Sequence, residues 1–132
     1  NKAISAYKQG FESDWRDYYP GINALTLMYL SNDEKHLEEM SKLHPLVKYA
    51  VERNMAKQEP SYWDHATVLE LAVLENNEQT IDQALDSLLE IDNVEQWCYQ
   101  TTKNNIKKLR EALSERNEDC TLIDEVIQEL DC

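Results

Sequence analysis

Apolar residues recur along this chain at spacings of three and four, the period of one helix face, and strict alternation is scarce. Ile4, Tyr7 and Phe11, supported by Ala3 and Ala6, mark a first helix over residues 1 to about 13. Residues 14–19 read as a loop. Pro20 then suits the first turn of a helix, where its missing N–H costs nothing. Ile22, Leu25, Leu27, Met28 and Leu30 make that helix apolar nearly all round, so it should be buried on most sides. Residues 34 to about 54 are amphipathic, with Leu37, Met40, Leu43, Leu46, Val47, Ala50 and Val51 on one face. Pro45 inside this stretch predicts a kink, or a short break near His44.

After a loop at 57–60, Ser61 is a good N-cap, and with Asp64 it resembles a capping box. The helix it starts runs over 62 to about 74, with Trp63, Ala66, Leu69, Ala72 and Val73 inward. Three more follow. The first, over 79–91, carries Ile81, Ala84, Leu85, Leu88 and Leu89. The second, over 94–116, carries Trp97, Thr101, Ile106, Leu109 and Leu113. The last, over 121–130, carries Leu122, Ile123, Val126, Ile127 and Leu130. Two stretches repeat at an offset of 44 residues. Tyr18-Tyr19, Leu25, Leu30 and Asn32 align with Tyr62-Trp63, Leu69, Leu74 and Asn76. A buried helix, an Asn-containing turn and an amphipathic helix recur in that order, as expected of stacked helical hairpins that bury a shared core. The expected fold is all-α and tetratricopeptide-like, with about seven helices in a single domain over residues 1–132, a fragment of a larger protein.

Composition narrows the function. Two glycines and three prolines in 132 residues are too few for an all-β domain or a glycine-rich phosphate loop. A net charge of −13 disfavours nucleic acid and anionic membrane surfaces as partners. No apolar run approaches the ~20 residues that span a bilayer, and no secretory signal is visible. Cys98, Cys120 and Cys132 form no disulfide framework and read as reduced thiols of a cytoplasmic protein. His36, His44 and His65 have no ligand-spaced partner, so no metal and no cofactor is expected. No nucleophile motif is present, so the chain does not read as an enzyme.

Ala3-Ile-Ser-Ala-Tyr-Lys-Gln-Gly-Phe-Glu12 followed by Tyr18-Tyr-Pro-Gly-Ile-Asn-Ala-Leu-Thr-Leu27 resembles the A-I-x-A-Y-x-x-G-F-E…Y-x-G-I-N stretch of one family. That family is the TRAFs-binding, tetratricopeptide-like region of apoptosis signal-regulating kinases, together with its bacterial sensor relatives. Tyr62-Trp63-Asp64 and Trp97-Cys-Tyr-Gln-Thr-Thr-Lys-Asn-Asn-Ile106 resemble later helix starts of the family, and the likeness covers roughly residues 3–115. It implies a regulatory module without catalysis. Pro45 and the acidic tail depart from the kinases and favour a bacterial-type member.

The candidate partner-binding residues are Tyr19, Gly21, Asn23, Tyr62, Trp63, Thr67, Glu70, Trp97, Thr101 and Lys103. The helix start at Pro20–Asn23 offers free N–H groups to an anion, with Gly21 permitting close approach; the competing reading is packing. The aromatics at helix starts, Tyr18 included, would line one edge of a concave face. Trp63 and Trp97 lean toward inter-repeat core, Tyr18 and Tyr62 toward surface. Thr67, Glu70, Thr101 and Lys103 stand behind them. Lys103, Lys107, Lys108 and Arg110 form a basic patch before a tail with eight acidic residues and one arginine over 111–132, and the opposed blocks should pair within the molecule or between copies. Two occupants follow: a protein or peptide partner on the concave face, or a small anionic, nucleotide-derived ligand. A structural spacer is the third reading, and a homo-oligomer is compatible with each.

Overall fold

The computed structural model describes residues 2–131, which form seven α-helices joined by short loops. They are α1 (Lys2–Ser13), α2 (Tyr19–Ser31), α3 (Glu34–Lys57), α4 (Tyr62–Glu75), α5 (Glu78–Leu89), α6 (Gln96–Glu115) and α7 (Thr121–Leu130). The expected all-α architecture of stacked hairpins is the observed one. The predicted start at residue 1 lies outside the described residues, as does Cys132.

Asparagine punctuates the fold. Asn32, Asn76, Asn93 and Asn117 hold left-handed backbones, with φ between 51° and 61°. Each follows a helix, and asparagine tolerates that region better than other residues with a Cβ. Turns that would otherwise call for glycine are thereby built without it. Within the 44-residue repeat, Asn32 and Asn76 close one helix, and the next residue caps the following one. Asp33 accepts from the Lys35 N–H at 2.9 Å and Asn77 from the Thr80 N–H at 3.1 Å. Ser61 and Asp64 complete the capping box that starts α4.

Helices α2 and α3, α4 and α5, and α6 and α7 pack as hairpins, and α1 packs on α2 from the other side. α2 also touches α4 and α6, which is why it is apolar nearly all round. One core joins α1, α2 and α3 through Phe11, Leu25, Met28, Val47 and Val51, with Leu71 reaching in from α4. A second joins α4 to α7 through Leu69, Leu88, Ile106, Leu109, Val126 and Leu130. Tyr29, Val68 and Leu74 pack against both. Arg116 ties the two ends: its guanidinium lies 4.6 Å from the centre of the Tyr29 ring and donates to the Tyr29 carbonyl.

Several expectations need correction. α3 does not break near His44 but runs through Pro45 to Lys57. Its neighbours hold the turn: His44 Nε2 lies 3.0 Å from the Leu71 carbonyl oxygen on α4. Leu46 is not core but 59% exposed, one residue off the buried stripe of Leu43, Val47, Ala50 and Val51. Ala3 and Ala6 are exposed, and Thr102, not Thr101, is the buried threonine of α6. The opposed charge blocks pair within the molecule, Lys103 with Asp131 and Arg110 with Asp124 at 2.8 Å. Cys98 and Cys120 are free thiols, both half-buried. No described helix is long and apolar enough to cross a membrane.

Candidate functional site

The inner faces of α2, α4 and α6 enclose a concave pocket of about 710 Å³. Helical spacing places its walls. α2 contributes Tyr19, Asn23 and Thr26; α4 contributes Trp63, Ala66, Thr67 and Glu70; α6 contributes Thr101, Asn105 and Lys108. On α4 these positions fall at i, i+3, i+4 and i+7, one face of one helix.

At one end of the pocket three helix termini meet on the buried carboxylate of Asp64. It accepts from the Tyr18 hydroxyl at the start of α2, from Asn54 Nδ2 near the end of α3 at 3.2 Å, and from the Ser61 N–H at 2.9 Å. Burial, and then the adjacent carboxylate, push the Tyr18 hydroxyl well above its ordinary pKa. Tyr62 is pushed up to about 12 by burial, its hydroxyl 2.8 Å from Thr102 Oγ1 and 3.2 Å from the Cys98 carbonyl oxygen. Tyr18 and Tyr62 are therefore interhelical struts, not surface residues.

Trp63 and Trp97 reverse the other expectation. They are 40% and 56% exposed and pack on each other, ring centres 5.8 Å apart. Trp97 donates from Nε1 to Glu95 Oε2 at 2.7 Å. The pair is a surface aromatic step beside the pocket, with Trp63 forming part of the wall. Tyr19, 65% exposed, lies on the α2 side.

Six of the ten sequence candidates thus line one pocket: Tyr19, Asn23, Trp63, Thr67, Glu70 and Thr101. Trp97 and Tyr62 adjoin it through Trp63 and Thr102. Gly21 does not face the pocket, because it is buried beneath Phe11 and Val47. Lys103 turns to α7, where Asp131 neutralises it. Asn23 donates to the Tyr19 carbonyl at 3.0 Å, and Thr67 and Thr101 donate to the Trp63 and Trp97 carbonyls at 2.9 Å. The anion-receptive start of α2 is already served: Asp17 Oδ1 accepts from the Tyr19 N–H at 3.2 Å. Sequence reasoning missed Asn54 and Asn105, whose positions carry no motif and gain meaning only when α3 and α6 fold against α4; Lys108 was legible only as part of the basic patch.

Glu70 is the electrostatic centre of the wall. Burial pushes its carboxyl up to about 7, opposed in part by a hydrogen bond from the Asn105 side chain. An acid raised in the folded state above its unfolded value favours folding when protonated, and loses that advantage as pH rises through the folded value. Between roughly pH 4.5 and 7 the fold should lose on the order of 2 kcal/mol through this group. In Glu70→Gln that loss should vanish, leaving the variant more stable than the native chain at pH 8 and little different at pH 4.5. Urea unfolding at the two pH values checks this, and equal curves for both proteins at pH 8 would refute the upward shift of the Glu70 carboxyl.

A family model described as the MAP3K TRAFs-binding domain matches residues 1–128, beyond the span of about 3–115 that the motifs marked. The mitogen-activated protein kinase kinase kinase nsy-1 of Caenorhabditis elegans is 32% identical over 111 residues. That alignment covers 81% of this chain and 7% of the kinase, so the chain spans a small part of that relative. No solved structure matches.

Proposed function

The chain belongs to the MAP3K TRAFs-binding domain family, and from that premise we propose that it is a non-catalytic interaction module that docks a TRAF-type protein on the concave face between α2, α4 and α6. One observation carries the location: exposed aromatic rings, Tyr19 and Trp63, flank a pocket of mixed polar and apolar lining, braced by the hydrogen bond from Tyr18 to Asp64. Exposed aromatics beside a pocket are the usual anchors of protein interfaces. A nucleotide-derived anion suits the site poorly. Asp17 occupies the start of α2, Lys103 is paired with Asp131, and Glu70 stands in the wall.

A separate apolar groove between α1 and α3, with Trp15, Leu46 and Tyr49, is the competing surface. The double variant Tyr19→Ala/Trp63→Ala should weaken binding of a TRAF protein at least tenfold, measured by calorimetry, with the helical circular dichroism unchanged. Leu46→Ala/Tyr49→Ala should leave the affinity within twofold. The opposite pattern would move docking to the α1–α3 groove and end the concave-face assignment.

A further inference from the structure

We propose that the concave pocket recognises a basic side chain of the partner, an arginine above all, seating its cation between the Glu70 carboxylate and Asn105. The inference rests on the concave-face reading and adds the chemistry of the occupant.

Glu70 points into the pocket from the same face of α4 as Trp63 and Thr67. A carboxylate half withdrawn from water, as that of Glu70 is, is best answered by a cation or several donors. Here the answer is incomplete. Asn105 stands across the pocket from Glu70, and no basic side chain of the described residues forms an ion pair with that carboxylate. Lys108 lines the same pocket one turn beyond Asn105 but remains outside ion-pair distance of Glu70. Arg16, at the loop side, is held by Asp14 at 2.9 Å. An arriving cation would therefore complete an existing half-site.

Three features select arginine. Its planar guanidinium offers several donors to a carboxylate and an adjacent amide at once. The Trp63–Trp97 step provides aromatic faces beside the pocket, against which a guanidinium stacks. The same chemistry operates within this chain at Arg116 over Tyr29 and Arg53 over Trp15. The net charge of −13 draws basic segments toward the molecule but does not choose where they land. The Glu70 carboxylate in the pocket wall, without an ion pair, does.

A pH dependence follows. The other charged and titratable groups lining the pocket are Arg16, Asp17 and Lys108, with Tyr7, Tyr18 and Tyr19; none of the three histidines lines it. Glu70, pushed up to about 7 by burial, is thus the group whose charge changes between mildly acidic and mildly basic solution. Binding of a cation should strengthen over that range.

The test uses two nonapeptides, one with a single arginine between two tyrosines and a net charge of +1, the other with neutral citrulline in its place. Titrations at 0.15 M salt should show the arginine peptide binding at least fivefold tighter at pH 8, with the ratio falling toward one at pH 5.5. Glu70→Gln should bind both peptides alike at both pH values. Glu125→Gln, which removes an equal charge on α7, should keep the native ratio. Equal binding of the two peptides by the native chain, a ratio that survives in Glu70→Gln, or no binding of either peptide overturns the proposal. If Tyr19→Ala/Trp63→Ala still abolishes TRAF docking, such a result condemns only the cation chemistry and leaves the concave face standing.

Discussion

Replacing Gly21 by leucine should destabilise the domain by about 3–4 kcal/mol, and replacing it by alanine by about 1–2 kcal/mol, although alanine is the better helix former. Gly21 sits in the first turn of α2 with an ordinary helical backbone, so its value is not conformational freedom. A Cβ there would lie 2.7 Å from Val47 Cγ2 and 3.0 Å from Phe11 Cδ1. Val47 is fully buried and Phe11 nearly so, leaving neither room to retreat. The first methyl gains up to about 1 kcal/mol of helix propensity and loses more to overpacking; larger side chains add only strain. The contact is specific, which gives a sharper check. Val47→Ala opens space at the point where the new methyl would fall. The double variant Gly21→Ala/Val47→Ala should be more stable than the sum of the single losses predicts, by roughly 1 kcal/mol in urea unfolding. Strict additivity would show that the crowding lies elsewhere.

This residue also shows how far the sequence could be read. Apolar periodicity placed every helix, because each core stripe repeats at three and four and each turn carries its Asn, Asp, Ser or Pro. Boundaries moved by a few residues: α3 continues to Lys57, α5 stops at Leu89 and α6 starts at Gln96. What the stripe could not supply was the identity of neighbours. Gly21 was readable as a point of close approach, but Phe11 and Val47 are ten residues before and 26 after it. The aromatics misled for a related reason. Tyr18 and Tyr62 have hydroxyls that can be buried once partners exist, and Asp64 and Thr102 are those partners. Trp63 and Trp97 are large enough to seem core, yet at the outer turns of α4 and α6 they pack on each other, with Trp63 also edge-on to Tyr62, and stay exposed. The concave pocket was legible in part, since helix starts from successive hairpins must adjoin. Its charge was not. Glu70 is half-buried because α6 lies across the pocket from it, with Asn105 35 positions away in the sequence.

Asp64→Ala should be among the most damaging single changes on the polar side, costing about 3–4 kcal/mol. The capping box alone accounts for about 1 kcal/mol, since the side chain serves the Ser61 N–H as well as the local turn. The remainder comes from strangers in sequence. Without the carboxylate, the Tyr18 hydroxyl and the Asn54 amide are left in a half-buried place without their acceptor, and each orphaned group costs about 1–3 kcal/mol before relaxation. A loss of this size should lower Tm by roughly 10 °C or more in a domain of this length. Tyr18→Phe removes one donor and keeps the carboxylate hydrogen-bonded by the other two, so it should cost only about 1 kcal/mol. A cycle of Asp64→Ala, Tyr18→Phe and the double variant should return a coupling above about 1 kcal/mol, because the second change removes a group the first has already orphaned. The consequence reaches the pocket. Tyr18 and Asn54 both line it, and Asp64 joins the start of α2 to the end of α3 and the start of α4. Asp64→Ala should therefore weaken partner binding even below its melting temperature, whereas Tyr18→Phe, which keeps the ring in place, should bind within about twofold of the native chain. Full affinity in folded Asp64→Ala would show that the three-helix junction supports stability alone and that the proposed docking face is held by the apolar core.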